Sequence, residues 1–127
     1  MKLVLSLIFI SLFSFQTQAQ GLKYQILDKV SFADSLKSKQ VLLIDVRRPE
    51  EFEAGNIENA QNINVLEPEN FNSKIEKLDK SQPVYIYCRS GNRSGKAAQI
   101  MQDAGFTKIF DLEGGYLNWT ADEQTED

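Results

Sequence analysis

Histidine is absent from the 127-residue sequence, and cysteine occurs once, as Cys88. Without an imidazole, the chain excludes catalytic sites that pair a serine or cysteine nucleophile with histidine. Zinc and copper sites need several cysteine and histidine ligands, so we expect no metal site, and nothing in the sequence indicates a cofactor. Any chemistry at Cys88 therefore proceeds without a histidine base.

A single cysteine also cannot form a disulfide within the chain, so Cys88 is either a free reactive thiol or a partner for another chain. Acidic residues outnumber basic ones by 18 to 14. An acidic protein of this kind is a poor ligand for nucleic acid, and we expect no nucleic-acid partner. The length allows one domain with one modest core.

The first 19 residues are typical of a secretory signal peptide. The basic residue Lys2 precedes an almost unbroken apolar run at 3–15, and the small residue Ala19 ends the segment. That run is shorter than the roughly 20 residues needed to cross a bilayer. We expect cleavage after Ala19, export to the periplasm or out of the cell, and no stable membrane anchor afterwards. A retained N-terminal anchor is the alternative.

Short apolar runs alternate with amphipathic segments and turn residues along the rest of the chain. Strands are predicted at 24–27, 41–46, 63–65, 84–87 and 108–112. Helices are predicted at 31–37, 49–54, 68–78, 94–104 and 115–119, with Ser31 as the N-cap of the first. This alternation predicts an α/β fold with a mostly parallel, five-stranded central sheet. The segment 121–127 is predicted to be an acidic, flexible tail.

Cys88 lies at a turn between the predicted strand 84–87 and the predicted helix 94–104. The residues that follow it are Arg89, Ser90, Gly91, Asn92, Arg93 and Ser94. Arginines and a helix N-terminus stabilise a thiolate, and such surroundings lower a cysteine pKa from about 8.5 to about 3.5–7.5. A glycine lets successive backbone N–H groups converge on one point. The segment predicts an anion-binding loop around a nucleophile, with a buried structural cysteine as the alternative.

Asp45 and Arg47 come at the end of the predicted strand 41–46. Parallel strands end at one edge of a sheet, where α/β folds bind their ligands, so we expect these two residues at the same edge as Cys88. Their predicted role is to support the edge of the loop. The alternative is a plain ion pair between Arg47 and Glu51, four residues apart across a helix start.

Several segments together resemble the signatures of the rhodanese-like domain family. Five of these segments resemble the N-terminal signature of the family: Asp45-Val46-Arg47, Glu51-Phe52, Gly55-Asn56-Ile57, Ala60 and Asn62-Ile63. Residues 88–94 resemble the active-site loop, and Leu112-Glu113-Gly114-Gly115 with Trp119 resembles the C-terminal signature. The resemblance implies a rhodanese domain at 22–120 with a three-layer α/β/α fold. An exported single domain is similar to the small periplasmic rhodaneses of phage-shock operons.

The resemblance implies that the protein is a thiosulfate sulfurtransferase. The Cys88 thiolate would attack the outer sulfur of thiosulfate, expel sulfite and become a persulfide, and then pass the sulfur to cyanide or a thiol. Arg89 and Arg93, with the N–H groups of the loop 89–94, would bind the anionic donor and the persulfide. The protein would act as a monomer. The alternative function is a non-catalytic persulfide carrier or sensor for a partner protein.

The length of the loop distinguishes sulfurtransferases from rhodanese-like phosphatases and arsenate reductases. Those enzymes have an arginine six residues after the cysteine, wrapped around a tetrahedral oxyanion. Here the sixth residue is Ser94 and the fifth is Arg93, which is the sulfurtransferase length. Two residues depart from the family pattern, since Asn56 replaces a usual histidine and Asn59 a usual glycine. We expect local structural adjustment there rather than loss of activity.

Overall fold

A computed structural model describes residues 21–38 and 41–121. The predicted signal peptide at 1–19 and the acidic tail from 122 onward lie outside the described residues. The elements are β1 Tyr24–Leu27, α1 Lys29–Leu36, β2 Leu42–Asp45, α2 Pro49–Ala54, β3 Gln61–Asn62, α3 Pro68–Glu76, β4 Val84–Tyr87, α4 Asn92–Asp103, β5 Ile109–Leu112 and α5 Gly115–Trp119. Within the described residues, none of these helices is long and apolar enough to span a membrane.

The five strands form one sheet in the order β1-β5-β4-β2-β3. All neighbouring strands are parallel, which confirms the predicted α/β fold with a five-stranded parallel sheet. Asp45 at the end of β2 pairs in register with Tyr87 at the end of β4. Because both strands run the same way, the residues that follow them meet at one edge of the sheet.

Helices cover both faces of the sheet, so the core has two halves. One half contains side chains of α3 and α4, including Phe71 and Met101. The other half contains Phe32 of α1, which packs edge-on against Trp119 of α5 with the ring centroids 6.3 Å apart. Successive side chains of each strand point alternately into the two halves, so the position of a residue in its strand decides which helices its side chain faces.

The prediction of Ser31 as the N-cap of the first helix is wrong. The cap is Asp28, whose carboxylate accepts the backbone N–H of Ser31 at 2.8 Å, so α1 begins at Lys29. An aspartate is at least as good a cap as a serine, because both satisfy an N–H group that has no helical partner. The helix after Cys88 also begins earlier than predicted, at Asn92, with Gly91 as its cap.

The third strand is displaced from its prediction at 63–65. It consists of Gln61 and Asn62, which pair with the end of β2. Ile63 and Val65 are buried in the core half that α3 and α4 cover, and that burial explains their apolar character without a strand. The apolar pattern alone does not separate the two cases. The remaining element ends lie within one or two residues of their predictions, a usual uncertainty.

Candidate active site

Cys88 directly follows β4, and its side chain continues the alternation of that strand. Val84, Ile86 and Cys88 all lie in the core half covered by α3 and α4. Cys88 is only 1% exposed. Because α4 begins at Asn92, the sulfur lies close to the N-terminal end of this helix, where backbone N–H groups and the helix dipole favour a negative charge.

Two groups of the loop contact the sulfur. The backbone N–H of Gly91 donates to Sγ at 3.0 Å, and Sγ lies 3.4 Å from the hydroxyl of Ser94. Gly91 has a φ of 109°, a conformation that residues with a side chain rarely adopt, and this turn directs its N–H toward the sulfur. The Ser94 hydroxyl donates to the Gly91 carbonyl at 3.1 Å. The loop therefore offers the sulfur a backbone donor and a hydroxyl.

Arg93 is held by an acidic residue from another helix. Its guanidinium donates two hydrogen bonds to the carboxylate of Glu51 in α2, at 2.5 and 2.9 Å. The hydrogen bond from Arg93 lowers the pKa of Glu51 to about 2, so the pair remains ionised at neutral pH. The alternative sequence prediction, an ion pair between Glu51 and Arg47, is wrong: Glu51 pairs with Arg93, and Arg47 pairs with Asp45.

The predicted anion-binding residues differ in their exposure. Those at the mouth of the loop are exposed, namely Arg89, Ser90 and Asn92. Gly91 and Arg93 are half-buried, and Ser94 is buried. The side chain of Arg89 makes no hydrogen bond or ion pair with any described residue, so its charge is uncompensated, unlike that of Arg93. The structure brings these residues together in one loop, and their contact with a substrate stays a prediction.

The backbone of the loop is hydrogen-bonded to the start of α5. The N–H groups of Tyr116 and Leu117 donate to the carbonyls of Cys88 and Arg89, at 2.8 and 3.0 Å. Gly115 has a φ of 60°, and a Cβ at this position would lie 2.5 Å from the Arg89 carbonyl oxygen. The close approach of the two backbones therefore requires glycine here. Sequence reasoning found Gly115 only as part of a signature, because the contact joins residues far apart in the chain.

Asp45 and Arg47 form a buried ion pair at the end of β2. The Arg47 guanidinium donates to the Asp45 carboxylate at 2.7 Å, and their side chains are 4% and 0% exposed. The guanidinium also lies over the ring of Tyr116, 4.3 Å from its centroid, and donates to the Gly55 carbonyl at 2.7 Å. Since Tyr116 holds the carbonyl of Cys88, the ion pair contacts the loop through α5. A supporting role fits this position and stays a prediction.

A buried acid that the sequence analysis did not single out lies behind the loop. Asp111 of β5 is 2% exposed and accepts a hydrogen bond from the Tyr24 hydroxyl at 2.5 Å. Burial raises the pKa of Asp111 to about 6, although hydrogen bonds from Tyr24 and Ser94 lower it. The signal that could have found it is a carboxylate within an otherwise apolar strand, since burying a charge is costly.

The two residues that depart from the family pattern lie in the segment after α2. Asn59 has a φ of 68°, in a left-handed region that asparagine tolerates better than most residues. The Asn56 side chain donates to the carbonyl of Phe52 at 2.9 Å, near the end of α2. The conformation of Asn59 and the hydrogen bond of Asn56 are both local, and the retention of activity stays a prediction.

The rhodanese-like domain model matches residues 28–122, a segment that contains Cys88 and the whole of its loop. The chain belongs to the rhodanese-like domain family. The resemblance inferred from the motifs at 45–63, 88–94 and 112–119 is therefore confirmed. In this rhodanese-like domain, the cysteine loop lies between the fourth strand and the fourth helix.

Individual relatives agree with this family assignment. The Bacillus subtilis protein YqhL, itself uncharacterized, is 43% identical over 81 residues, which are 64% of this chain and 62% of YqhL. The thiosulfate sulfurtransferase GlpE of Coxiella burnetii is 29% identical over 104 residues, which are 82% of this chain and 94% of GlpE. A crystal structure of a rhodanese-related protein from Thermoplasma volcanium has a TM-score of 0.67 at 28% identity, covering 78% of this chain and 93% of that protein.

Proposed function

We propose that this rhodanese-like domain is a sulfurtransferase that carries a sulfane sulfur as a persulfide on Cys88. The observation that carries the proposal is the position of the Cys88 sulfur, 3.0 Å from the N–H of Gly91 at the start of α4. A relative that is named a thiosulfate sulfurtransferase supports it. Thiosulfate or another sulfane donor supplies the sulfur, and cyanide or a thiol accepts it.

The transfer consists of two displacements at sulfur. The Cys88 thiolate forms a bond to the outer sulfur of thiosulfate, and the sulfur–sulfur bond of thiosulfate breaks with its electron pair leaving on sulfite. Cyanide or a thiolate then attacks the outer sulfur of the persulfide, and the electron pair of the broken bond returns to Cys88. Sulfite leaves as an anion that needs no proton, which suits a chain without histidine.

The depth of Cys88 favours small donors and acceptors. At 1% exposure, the sulfur is out of reach of a bulky reactant. A sulfur–sulfur bond is about 2.05 Å long, so the outer sulfur of a persulfide projects about 2 Å beyond Sγ. We infer that persulfide formation brings the transferable sulfur toward the exposed residues at the mouth of the loop. The acceptor, which attacks this outer sulfur, therefore needs to reach less deeply into the loop than the donor, which must reach the Cys88 sulfur itself.

Arg89 is the loop arginine that we expect to attract the anionic donor, because Arg93 is already paired with Glu51. Arg89→Gln is expected to raise the KM for thiosulfate about tenfold through loss of a charge-assisted contact, with little change in the free energy of unfolding. Arg93→Gln is expected to act mainly on stability, because it leaves the partly buried Glu51 carboxylate unpaired. Steady-state kinetics and urea denaturation of both variants measure these effects.

The matched control for this comparison is Lys77→Gln, which removes one positive charge at the exposed end of α3. Its KM is expected to equal that of the wild type, because it contributes only to the overall charge. A KM for thiosulfate that rises in Arg93→Gln and not in Arg89→Gln would contradict the proposal that Arg89 attracts the anionic donor.

We also propose that the domain acts outside the cytoplasm, as a monomer, after residues 1–19 have been removed. The support is the basic, apolar and small-residue pattern of that leader. Cell fractionation followed by N-terminal sequencing of the recovered protein tests this directly. Recovery of the full-length chain from the cytoplasm would contradict it.

The sulfurtransferase proposal itself is tested by incubating the protein with thiosulfate and cyanide. The wild type is expected to form thiocyanate and sulfite, and Cys88→Ser is expected to form neither. Asp103→Asn, at the exposed end of α4, serves as an active control. Absence of turnover with thiosulfate and with other sulfane donors would refute the proposal that the protein is an enzyme. A stable persulfide without turnover would instead support the carrier function.

A further inference from the structure

The arginines of this chain are confined to one edge of the sheet. All four lie at positions 47, 48, 89 and 93, and every other basic residue is a lysine. The first two follow the end of β2, and the last two follow the end of β4, its neighbour in the sheet. On a chain with a net charge of −4, this edge therefore concentrates guanidinium groups around the Cys88 loop.

Two of the four arginines already hold a carboxylate of the protein itself. Arg47 is paired with Asp45, and Arg93 is paired with Glu51. A guanidinium presents its donors in a planar fork that matches the two oxygens of a carboxylate. These pairs leave two guanidinium groups at this edge without an acid partner.

Arg48 is one of these two groups, and Arg89 is the other. The Arg48 side chain is exposed and makes no hydrogen bond or ion pair with a described residue. The acid nearest to it in sequence is Glu50, which is exposed and makes no ion pair with a described residue either. Arg48 stands between two segments of the family signature and belongs to neither, so no motif points to it.

The place of Arg48 beside the loop is given by the carboxylate of Glu51. The backbone N–H of Arg48 donates to Oε1 of Glu51 at 3.4 Å, and the same oxygen accepts the guanidinium of Arg93 at 2.5 Å. Arg93 is the second residue of α4, the helix that begins at the Cys88 loop. Arg48 therefore lies beside the mouth of the loop, where α2 meets α4.

The donor and the acceptor of the sulfur reach this mouth to different depths. The sulfonate of thiosulfate is bonded directly to the sulfur that Cys88 attacks, so it lies within the loop. An acceptor attacks the outer sulfur of the persulfide, which projects about 2 Å beyond Sγ. The rest of the acceptor molecule therefore lies outside the loop, and a charged group on it is closer to the rim than the sulfonate is.

We propose that Arg48 recognises a carboxylate on the thiol that accepts the sulfur from Cys88. The thiolate of this acceptor forms a bond to the outer sulfur of the persulfide. The bond from that sulfur to Sγ breaks, and its electron pair returns to Cys88. The carboxylate of the acceptor binds the Arg48 guanidinium, as the acids of the protein bind Arg47 and Arg93, while Arg89 serves the donor. This inference rests on the proposed function and names the class of its acceptor, a small thiol with a carboxylate.

The test is the rate at which thiols remove the outer sulfur from the Cys88 persulfide, followed by intact mass on the full chain. Mercaptopropionate and mercaptoethanol are the two probes, because one carries a carboxylate where the other carries a hydroxyl. Arg48→Gln is expected to lower the ratio of their second-order rate constants, carboxylate over hydroxyl, about fivefold, which is the upper end for an exposed ion pair. Each ratio is compared between variants, so the intrinsic reactivity of the two thiols cancels.

Further variants make the result specific to the charge at this position. Arg48→Lys keeps the charge and is expected to keep most of the ratio, whereas Arg48→Glu is expected to lower it below that of Arg48→Gln. Glu50→Gln removes the nearby acid and is expected to raise the ratio. The contact with Glu51 is made by the backbone of Arg48, so these substitutions leave it in place. Lys77→Gln is the matched control and should leave the ratio unchanged.

A ratio in Arg48→Gln equal to that in Lys77→Gln would overturn the proposal. It would be overturned equally if Arg48→Gln raised the KM for thiosulfate and left the ratio of the two thiols unchanged. Arg48 would then belong to the donor site together with Arg89.

A second measurement separates this proposal from the proposed function, because it needs no sulfur transfer. Sulfonatoethyl and hydroxyethyl methanethiosulfonate both form a mixed disulfide with Cys88. The thiolate forms a bond to the sulfur of the arm, and methanesulfinate leaves with the electron pair of the broken bond. The arm, like an acceptor, then lies beyond the outer sulfur, and its sulfonate stands in for the carboxylate.

Arg48→Gln is expected to lower the ratio of these two rates, anionic reagent over neutral reagent, by about the same factor as for the thiols. Failure of thiosulfate and other sulfane donors to form a persulfide would refute the proposed function, and the ratio of the two reagents would still decide the role of Arg48. A ratio that is the same in Arg48→Gln and Lys77→Gln would overturn that role.

Discussion

Asp45→Asn is expected to lower the free energy of unfolding by about 3–5 kcal/mol, because it leaves the Arg47 guanidinium buried without its carboxylate partner. The two side chains are 0% and 4% exposed, so water cannot replace the lost partner. Asparagine keeps the shape of aspartate, and the measured loss therefore reports the charge rather than a cavity. Urea denaturation followed by circular dichroism gives the free energy of unfolding.

The control for this prediction is Asp34→Asn, which removes the same charge from an exposed pair with Lys37 in α1. Exposed pairs contribute little, so we expect no measurable change in that variant. Adding Arg47→Met to Asp45→Asn is expected to recover part of the stability, because no uncompensated charge then remains buried. Equal losses in Asp45→Asn and Asp34→Asn would show that the pair at the end of β2 is not needed to hold the fold.

Gly115→Ala is expected to slow the reaction of Cys88 about a hundredfold, through displacement of the loop by roughly an ångström. The added Cβ would lie 2.5 Å from the Arg89 carbonyl oxygen and 2.6 Å from the Cys88 carbonyl oxygen. If the backbone of the loop or of α5 moves to make room, the hydrogen bonds from Tyr116 and Leu117 to the loop carbonyls lengthen. The positive φ of Gly115 adds strain for any residue with a side chain. The rate at which iodoacetamide alkylates Cys88 and the rate of thiocyanate formation both measure the effect.

Gly95→Ala provides the matched control for this substitution. Gly95 lies in the first turns of α4, and a Cβ there meets nothing within 4 Å. Alanine favours a helix over glycine, so this variant is expected to be as active as the wild type and slightly more stable. A Gly115→Ala variant that reacts as fast as Gly95→Ala would show that the loop does not depend on its contact with α5.

The parallel sheet and the place of Cys88 could be predicted because they follow from local patterns. The apolar runs at 41–46 and 84–87 are long enough to mark buried central strands, and the glycine at 91 marks the turn into α4. The position of β3 could not be predicted in the same way. Ile63 and Val65 carry the apolar signature of a strand, but their burial against helices produces the same signature.

The partners of the charged residues could not be read from spacing. The spacing of Arg47 and Glu51, four residues apart, suggested an ion pair as the alternative to a supporting role, whereas the fold brings Arg93 to Glu51 across 42 residues of sequence. The same limit applies to Asp111, which reaches Tyr24 across 87 residues. Such contacts arise only when the sheet order places distant strands and helices side by side, so they become visible only in the folded chain.

The persulfide on Cys88 is the central claim of this account, and the intact mass of the protein after exposure to thiosulfate tests it most directly. The account predicts a gain of the mass of one sulfur atom in the wild type and none in Cys88→Ser. Addition of cyanide should remove that mass and release an equal amount of thiocyanate. A wild-type mass that stays unchanged with thiosulfate and with other sulfane donors, while iodoacetamide still alkylates Cys88, would contradict the account.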